Sequence, residues 1–136
     1  MEMNLRWKQR FENFDKALQT LHKASVAFAN DKQNELYRIA LIGSFSFTFE
    51  LAWKTLKDYL YYSGVDLNLP REIIKHSYSS NLIKNGQIWI DMLDERNLMS
   101  HVYDQKLSSI ACNSIVDIYI KEIEQVHNLL QSKMSE

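Results

Sequence analysis

Three glycines and one proline, at positions 43, 64, 86 and 70, are the only strong chain breakers in 136 residues. A sandwich or barrel would need turn residues about every 8 to 12 positions. The long uninterrupted stretches between the breakers therefore point to helices. With 46% hydrophobic residues the chain is expected to form one compact domain over residues 1–136 with a real core. The amino-terminal MEMNLRWKQRF is charged from its second residue. No stretch approaches the roughly 18 apolar residues that a spanning helix requires. The lone Cys112 can form no internal disulfide and has no second cysteine with which to build a zinc motif. These features predict a cytoplasmic protein without membrane attachment, metal or cofactor.

Apolar periodicity divides the chain into five segments. Trp7, Phe11, Phe14, Leu18, Leu21, Ser25 and Phe28 step by three or four, the period of one helix face, which predicts a helix from Leu5 to about Ala29. The polar NDKQN at 30–34 ends it. A second helix, Glu35 to Tyr62, carries Ile39, Ile42, Phe45, Phe49, Trp53, Leu56 and Leu60 on one stripe. Within it SFSFTFE alternates at period two, a strand signal. The helical stripe runs through it without a phase break, so helix is expected, with Phe47 turned toward another helix or a partner subunit. Gly43 either permits a close helix approach or is a tolerated weak spot. After SGVDLNLP, with Pro70 in a first helical turn, a short helix is predicted over Arg71 to Ile83 and closed by KNG. The fourth segment runs from Gln87 to about His101. The last, Gln105 to Ser132, has Leu107, Ala111, Ile115, Ile118, Ile123, Val126 and Leu130 as its seam. The expected architecture is all-α: an antiparallel up-and-down four-helix bundle with an additional short helix.

The stretch RNLMSHVY, residues 96–103, stands apart. At about 100° per residue, Arg96 falls at the centre of the stripe set by Trp89, Met92, Leu93 and Ser100. A buried guanidinium without partners would cost several kcal/mol, so Arg96 must meet a carboxylate, a polar cleft or a ligand anion. His101 lies about 140° around the helix from it, whereas Asn97 and His101 stack. Structural readings remain open: Arg96 could pair with Glu50 or Asp94, His101 could end a helix, and Tyr103 could be a bundle tyrosine with a wet hydroxyl. The spacing alone is not specific, because Arg71, His76 and Tyr78 repeat it. There Glu72 would oppose an incoming phosphate, while Arg96 is followed by the neutral amide of Asn97. The formal net charge of −1, from 16 basic and 17 acidic residues, weighs against a broad phosphate-tracking surface and leaves room for a local cleft.

The segments IWIDMLDERNLMSHVYDQ and FTFELAWKTLKDYL resemble the HEPN domains of prokaryotic two-gene modules, in particular the nucleotidyltransferase substrate-binding proteins, over nearly the whole chain. The family motif is an arginine, four to six intervening residues and a histidine, with a polar residue usually directly after the arginine, matched by Arg96, Asn97 and His101. In the toxin branch a tyrosine follows two residues later, matched by Tyr103. The resemblance implies a homodimer whose two motif copies line one cleft, and a metal-independent endoribonuclease acting on RNA. It also implies a partner minimal nucleotidyltransferase that serves as antitoxin and, in the toxin branch, adenylylates the tyrosine, here Tyr103. In that chemistry His101 takes the 2′-hydroxyl proton, Arg96 clamps the phosphate, and Asn97 orients one or the other. The resemblance equally implies a noncatalytic substrate-binding subunit of a two-component nucleotidyltransferase.

Overall fold

A computed structural model describes residues 2–96 and 98–135, with all side chains among them except those of residues 3, 98 and 99. Helix α1 (Glu2–Asn30) and helix α2 (Glu35–Tyr62) form a long hairpin. Asn34 caps α2, its side-chain oxygen accepting from the Tyr37 amide at 3.1 Å. Helix α3 (Pro70–Ser79) and helix α4 (Gly86–Asp94) make a second, shorter hairpin. A 3₁₀ turn (Leu98–His101) leads into helix α5 (Gln105–Ser114), which continues through a π-turn (Ile115–Tyr119) into helix α6 (Ile120–Ser132). No strand occurs among the described residues. The helical bundle is thus as the periodicity predicts.

Helix α2 is central and packs against α1, α3, α5, α6 and the 3₁₀ turn. Its apolar stripe is buried as expected at Ile42, Phe45, Phe49, Trp53, Leu56 and Leu60, in one core with Trp7, Phe11, Phe14 and Leu21 of α1. SFSFTFE is helical throughout. Phe45 and Phe49 are fully buried, whereas Phe47 is 64% exposed. Polar contacts staple the layers: Arg10 Nε donates to the buried Asp58 of α2 at 2.8 Å, and His127 Nε2 of α6 lies 2.7 Å from Asp15 Oδ1 with its ring stacked on Phe11.

Three boundaries differ from the periodicity reading. Pro70 is in the first turn of α3, as predicted, but the helix stops at Ser79 rather than Ile83. Asn81 adopts φ 65° there, and Leu82 and Ile83 turn inward as buried loop residues. Helix α4 stops at Asp94, so Arg96 does not sit on a buried stripe. In the last segment Ala111, Ile115, Ile123, Val126 and Leu130 are buried, but Leu107 and Ile118 are each 45% exposed. The π-turn inserts an extra residue, which advances the inward face to Tyr119 and Ile120.

The alternation in α2 gives a stability pattern. Replacing Phe45 or Phe49 by Ala should cost about 3–5 kcal/mol each, whereas Phe47→Ala should lie within about 0.5 kcal/mol of wild type. Urea unfolding of the three variants checks this; equal losses at all three positions would contradict the exposure of Phe47.

Candidate functional site

The motif segment connects α4 to α5 across the side of α2. Helix α4 ends where the Glu95 amide bonds the Asp91 and Leu93 carbonyls, and the Arg96 amide follows with a bond to the Leu93 carbonyl at 3.3 Å. Ser46 of α2 then donates its hydroxyl to the Arg96 carbonyl at 3.3 Å, fixing the turn against the hairpin. The 3₁₀ turn closes with the Asp104 amide bonded to the His101 carbonyl, and Asp104 caps α5 through the Leu107 amide at 3.0 Å. Between these anchors Val102 is buried, and Tyr103 is 81% exposed.

The seam burial expected for Arg96 is therefore corrected. Its side chain is 41% exposed, and Nη1 lies 3.7 Å from Glu50 Oε1. Of the two carboxylates expected as partners, Glu50 is the one engaged. Asp94 instead pairs with Arg71 at 2.8 Å, so the second copy of the spacing is tied to the base of the first. Glu50 also accepts from Trp53 Nε1 at 3.1 Å, which holds its carboxylate in place.

His101 is exposed and lines a groove of about 210 Å³ with Glu95, Leu107, Ile110, Ala111 and Ser114. Arg96 is not part of that lining and pairs with Glu50, so a single protomer does not gather the two side chains around one cavity. Tyr103 presents its ring to solvent on the same connection. Asn97 lies outside the described residues.

The structure adds two groups that periodicity did not single out. Glu95, next to Arg96 in sequence and sharing the groove with His101, accepts from the Tyr119 hydroxyl at 2.5 Å. Tyr119 is carried inward by the π-turn and stacks on Phe45 with ring centroids 5.4 Å apart. Burial, the bond to Glu95 and the charges of Glu95 and Asp91 push the phenol well above its ordinary range. An imidazole and a carboxylate in one groove can hydrogen-bond a hydroxylated ligand, whereas the guanidinium faces Glu50. No cluster of metal-ligating side chains occurs among the described residues.

Residues 9–132 match the family model described as nucleotidyltransferase substrate binding protein like. The chain belongs to this family. The crystal structure of a protein from Thermus thermophilus is similar to this substrate-binding-like chain, at 30% sequence identity and a TM-score of 0.77. The match covers 86% of this chain and 98% of that one. Comparison with curated proteins gives no match. Among the described residues, no helix of this family member is long and apolar enough to cross a membrane.

Two measurements check the site. Because Arg96 and Glu50 are both more than a third exposed, Arg96→Ala should change stability by less than about 1 kcal/mol; a larger loss would mean the guanidinium has a buried role. Tyr119 has a folded pKa raised above the ordinary value of 10.0, so its contribution is fully present below that pH and is lost as pH rises toward the folded value. Tyr119→Phe should therefore destabilise the protein by about 0.5–1.5 kcal/mol at neutral pH, and the gap should narrow in denaturation experiments above about pH 10.

Proposed function

We propose that the chain is a noncatalytic substrate-binding subunit that works with a separate nucleotidyltransferase. The match of residues 9–132 to the substrate-binding family carries this reading. The geometry supports it in a specific way. Arg96 is paired with Glu50, and Asp91, Asp94 and Glu95 stand at the base of the turn, so the acidic surroundings of the guanidinium disfavour a phosphodiester in a single protomer. The groove beside His101 instead has an imidazole, a carboxylate and an apolar wall, suited to orienting a hydroxyl or amine of a small substrate.

A second reading has its own support in the accessibility of the motif. It makes the chain a toxin-like, metal-independent endoribonuclease in which a homodimer places Arg96 of one copy near His101 of the other. His101 would then be the base, Arg96 the clamp and Asn97 an orienting group. The high exposure of Tyr103 leaves that residue accessible to a nucleotidyltransferase, and adenosine monophosphate attached there would bring an anion and bulk to the segment.

The deciding experiment first reads the adjacent reading frame, where this proposal expects a minimal nucleotidyltransferase, and combines that protein with the purified chain. Coelution on size exclusion and nucleotide transfer that requires both proteins are expected, together with intact RNA when the chain is incubated alone in chelator. RNA cleavage that disappears in His101→Ala would overturn the noncatalytic reading in favour of the ribonuclease. Intact mass after incubation with partner and ATP, compared between wild type and Tyr103→Phe, reports modification of that tyrosine.

A further inference from the structure

A cleft lies away from the motif, between the loop that joins α3 to α4 and the face of α6 that it overlies. Its volume is about 310 Å³, at the lower end of small-molecule sites. The loop supplies Asn81, Leu82 and Lys84, and α6 supplies Gln125, Asn128 and Leu129. Leu82 is buried and Leu129 half-buried, which makes the floor apolar, whereas the exposed Asn81, Lys84, Gln125 and Asn128 put three carboxamides and one ammonium around it. No carboxylate lines the cleft, and Lys84 forms no ion pair among the described residues.

The loop is held rather than loose, because the Leu82 and Ile83 amides both bond the Ser77 carbonyl, at 2.8 and 3.2 Å. Asn81 adopts φ 65°, a conformation that ordinarily favours glycine. Asparagine there keeps a carboxamide on the cleft where glycine would satisfy the backbone equally well.

Glu122 is the observation that points to a ligand. It precedes Gln125 by three residues and Leu129 by seven, on the same face of α6. Its Oε2 accepts from Nδ2 of Asn85, the neighbour of Lys84, at 2.9 Å. The side chain is 6% exposed, yet Oε1 has no hydrogen-bond partner among the described residues. A buried carboxylate oxygen left without a donor is unfavourable, and a charged N–H group is the donor that best relieves it.

We propose that this cleft binds a free α-amino acid with an uncharged polar side chain. Its ammonium donates to Glu122 Oε1, its carboxylate pairs with Lys84, and its side chain meets the carboxamides of Asn81, Gln125 and Asn128. A zwitterion satisfies the lone carboxylate oxygen and the lone ammonium together, whereas a simple anion or a simple amine satisfies one of them. Carboxamides offer donors and acceptors side by side, which suits a hydroxyl or amide side chain. The site goes beyond the proposed subunit role and does not depend on it, since it uses none of Arg96, Asn97, His101 and Tyr103.

The test titrates L-glutamine, L-asparagine and L-serine into the isolated chain and follows amide chemical shifts. Saturable binding of at least one is expected, with shifts at Asn81, Leu82, Lys84, Gln125 and Leu129. Its N-acetyl derivative, which lacks the ammonium, and its carboxamide derivative, which lacks the carboxylate, should each bind about tenfold or more weakly. Lys84→Met and Glu122→Gln should show the same loss for the free amino acid. Asn81→Gly, which suits the backbone at that position, should also weaken binding, while His101→Ala should bind as wild type. Circular dichroism reports folding of each variant, and the exposed Lys84 and Asn81 keep the test decisive should the buried Glu122→Gln unfold the chain. Absence of saturable binding at tens of millimolar of all three amino acids would overturn the proposal, as would an unchanged affinity in Lys84→Met. Equal binding of either blocked derivative would also overturn it, because the cleft would then recognise one charge rather than the pair.

Discussion

The stacked rings of Phe45 and Phe49 on α2 are the contact on which the far side of the bundle depends. Phe49 packs on Trp89 of α4 with centroids 5.8 Å apart, and Phe45 packs on Tyr119 of the π-turn at 5.4 Å. One pair of aromatic residues a helical turn apart thereby fixes where two later elements sit against the α1–α2 hairpin. The energetic scale is large, because a buried aromatic side chain contributes several kcal/mol through its area and adds a geometric preference. Tyr119, once held there, reaches Glu95 with its hydroxyl, so the same stack fixes the carboxylate at the end of α4.

That arrangement gives the motif connection its electrostatic character. Ser46 and Glu50, one turn apart on α2, take the carbonyl and the guanidinium of Arg96. Glu95 lines the separate groove with His101. The short connection is thus divided between an arginine answered by a carboxylate and a histidine that shares its space with another. By contrast a concavity between α3 and α4 is lined by Lys75 and Lys84 and by no carboxylate. The near-zero net charge of the whole chain conceals this uneven local distribution of charge.

Most of the bundle was legible because periodicity records burial directly. The Trp7 to Phe28 stripe, the Ile42 to Leu60 stripe and the break positions Asn34 and Pro70 all express local rules that act within one helix turn. The strand-like SFSFTFE yielded to the longer helical stripe for the same reason. Where reading by period failed, a contact distant in sequence had changed the local phase. A regular helix carried through Glu95 would place Arg96 in the seam, but the chain turns there, and Ser46, distant in sequence on α2, holds the turn. A regular helix through Ile115–Tyr119 would bury Ile118, but the π-turn hands that place to Tyr119.

The sequence by itself determined an all-helical chain, the long hairpin and the segment in which the family motif lies, because spacing, capping and residue type are properties of neighbours along the chain. Only the tertiary structure decided that Arg96 meets Glu50, that His101 shares a groove with Glu95, and that Lys75 and Lys84 border one concavity. Those pairings join residues from different elements, and their distances follow from how the helices pack rather than from any pattern within one of them.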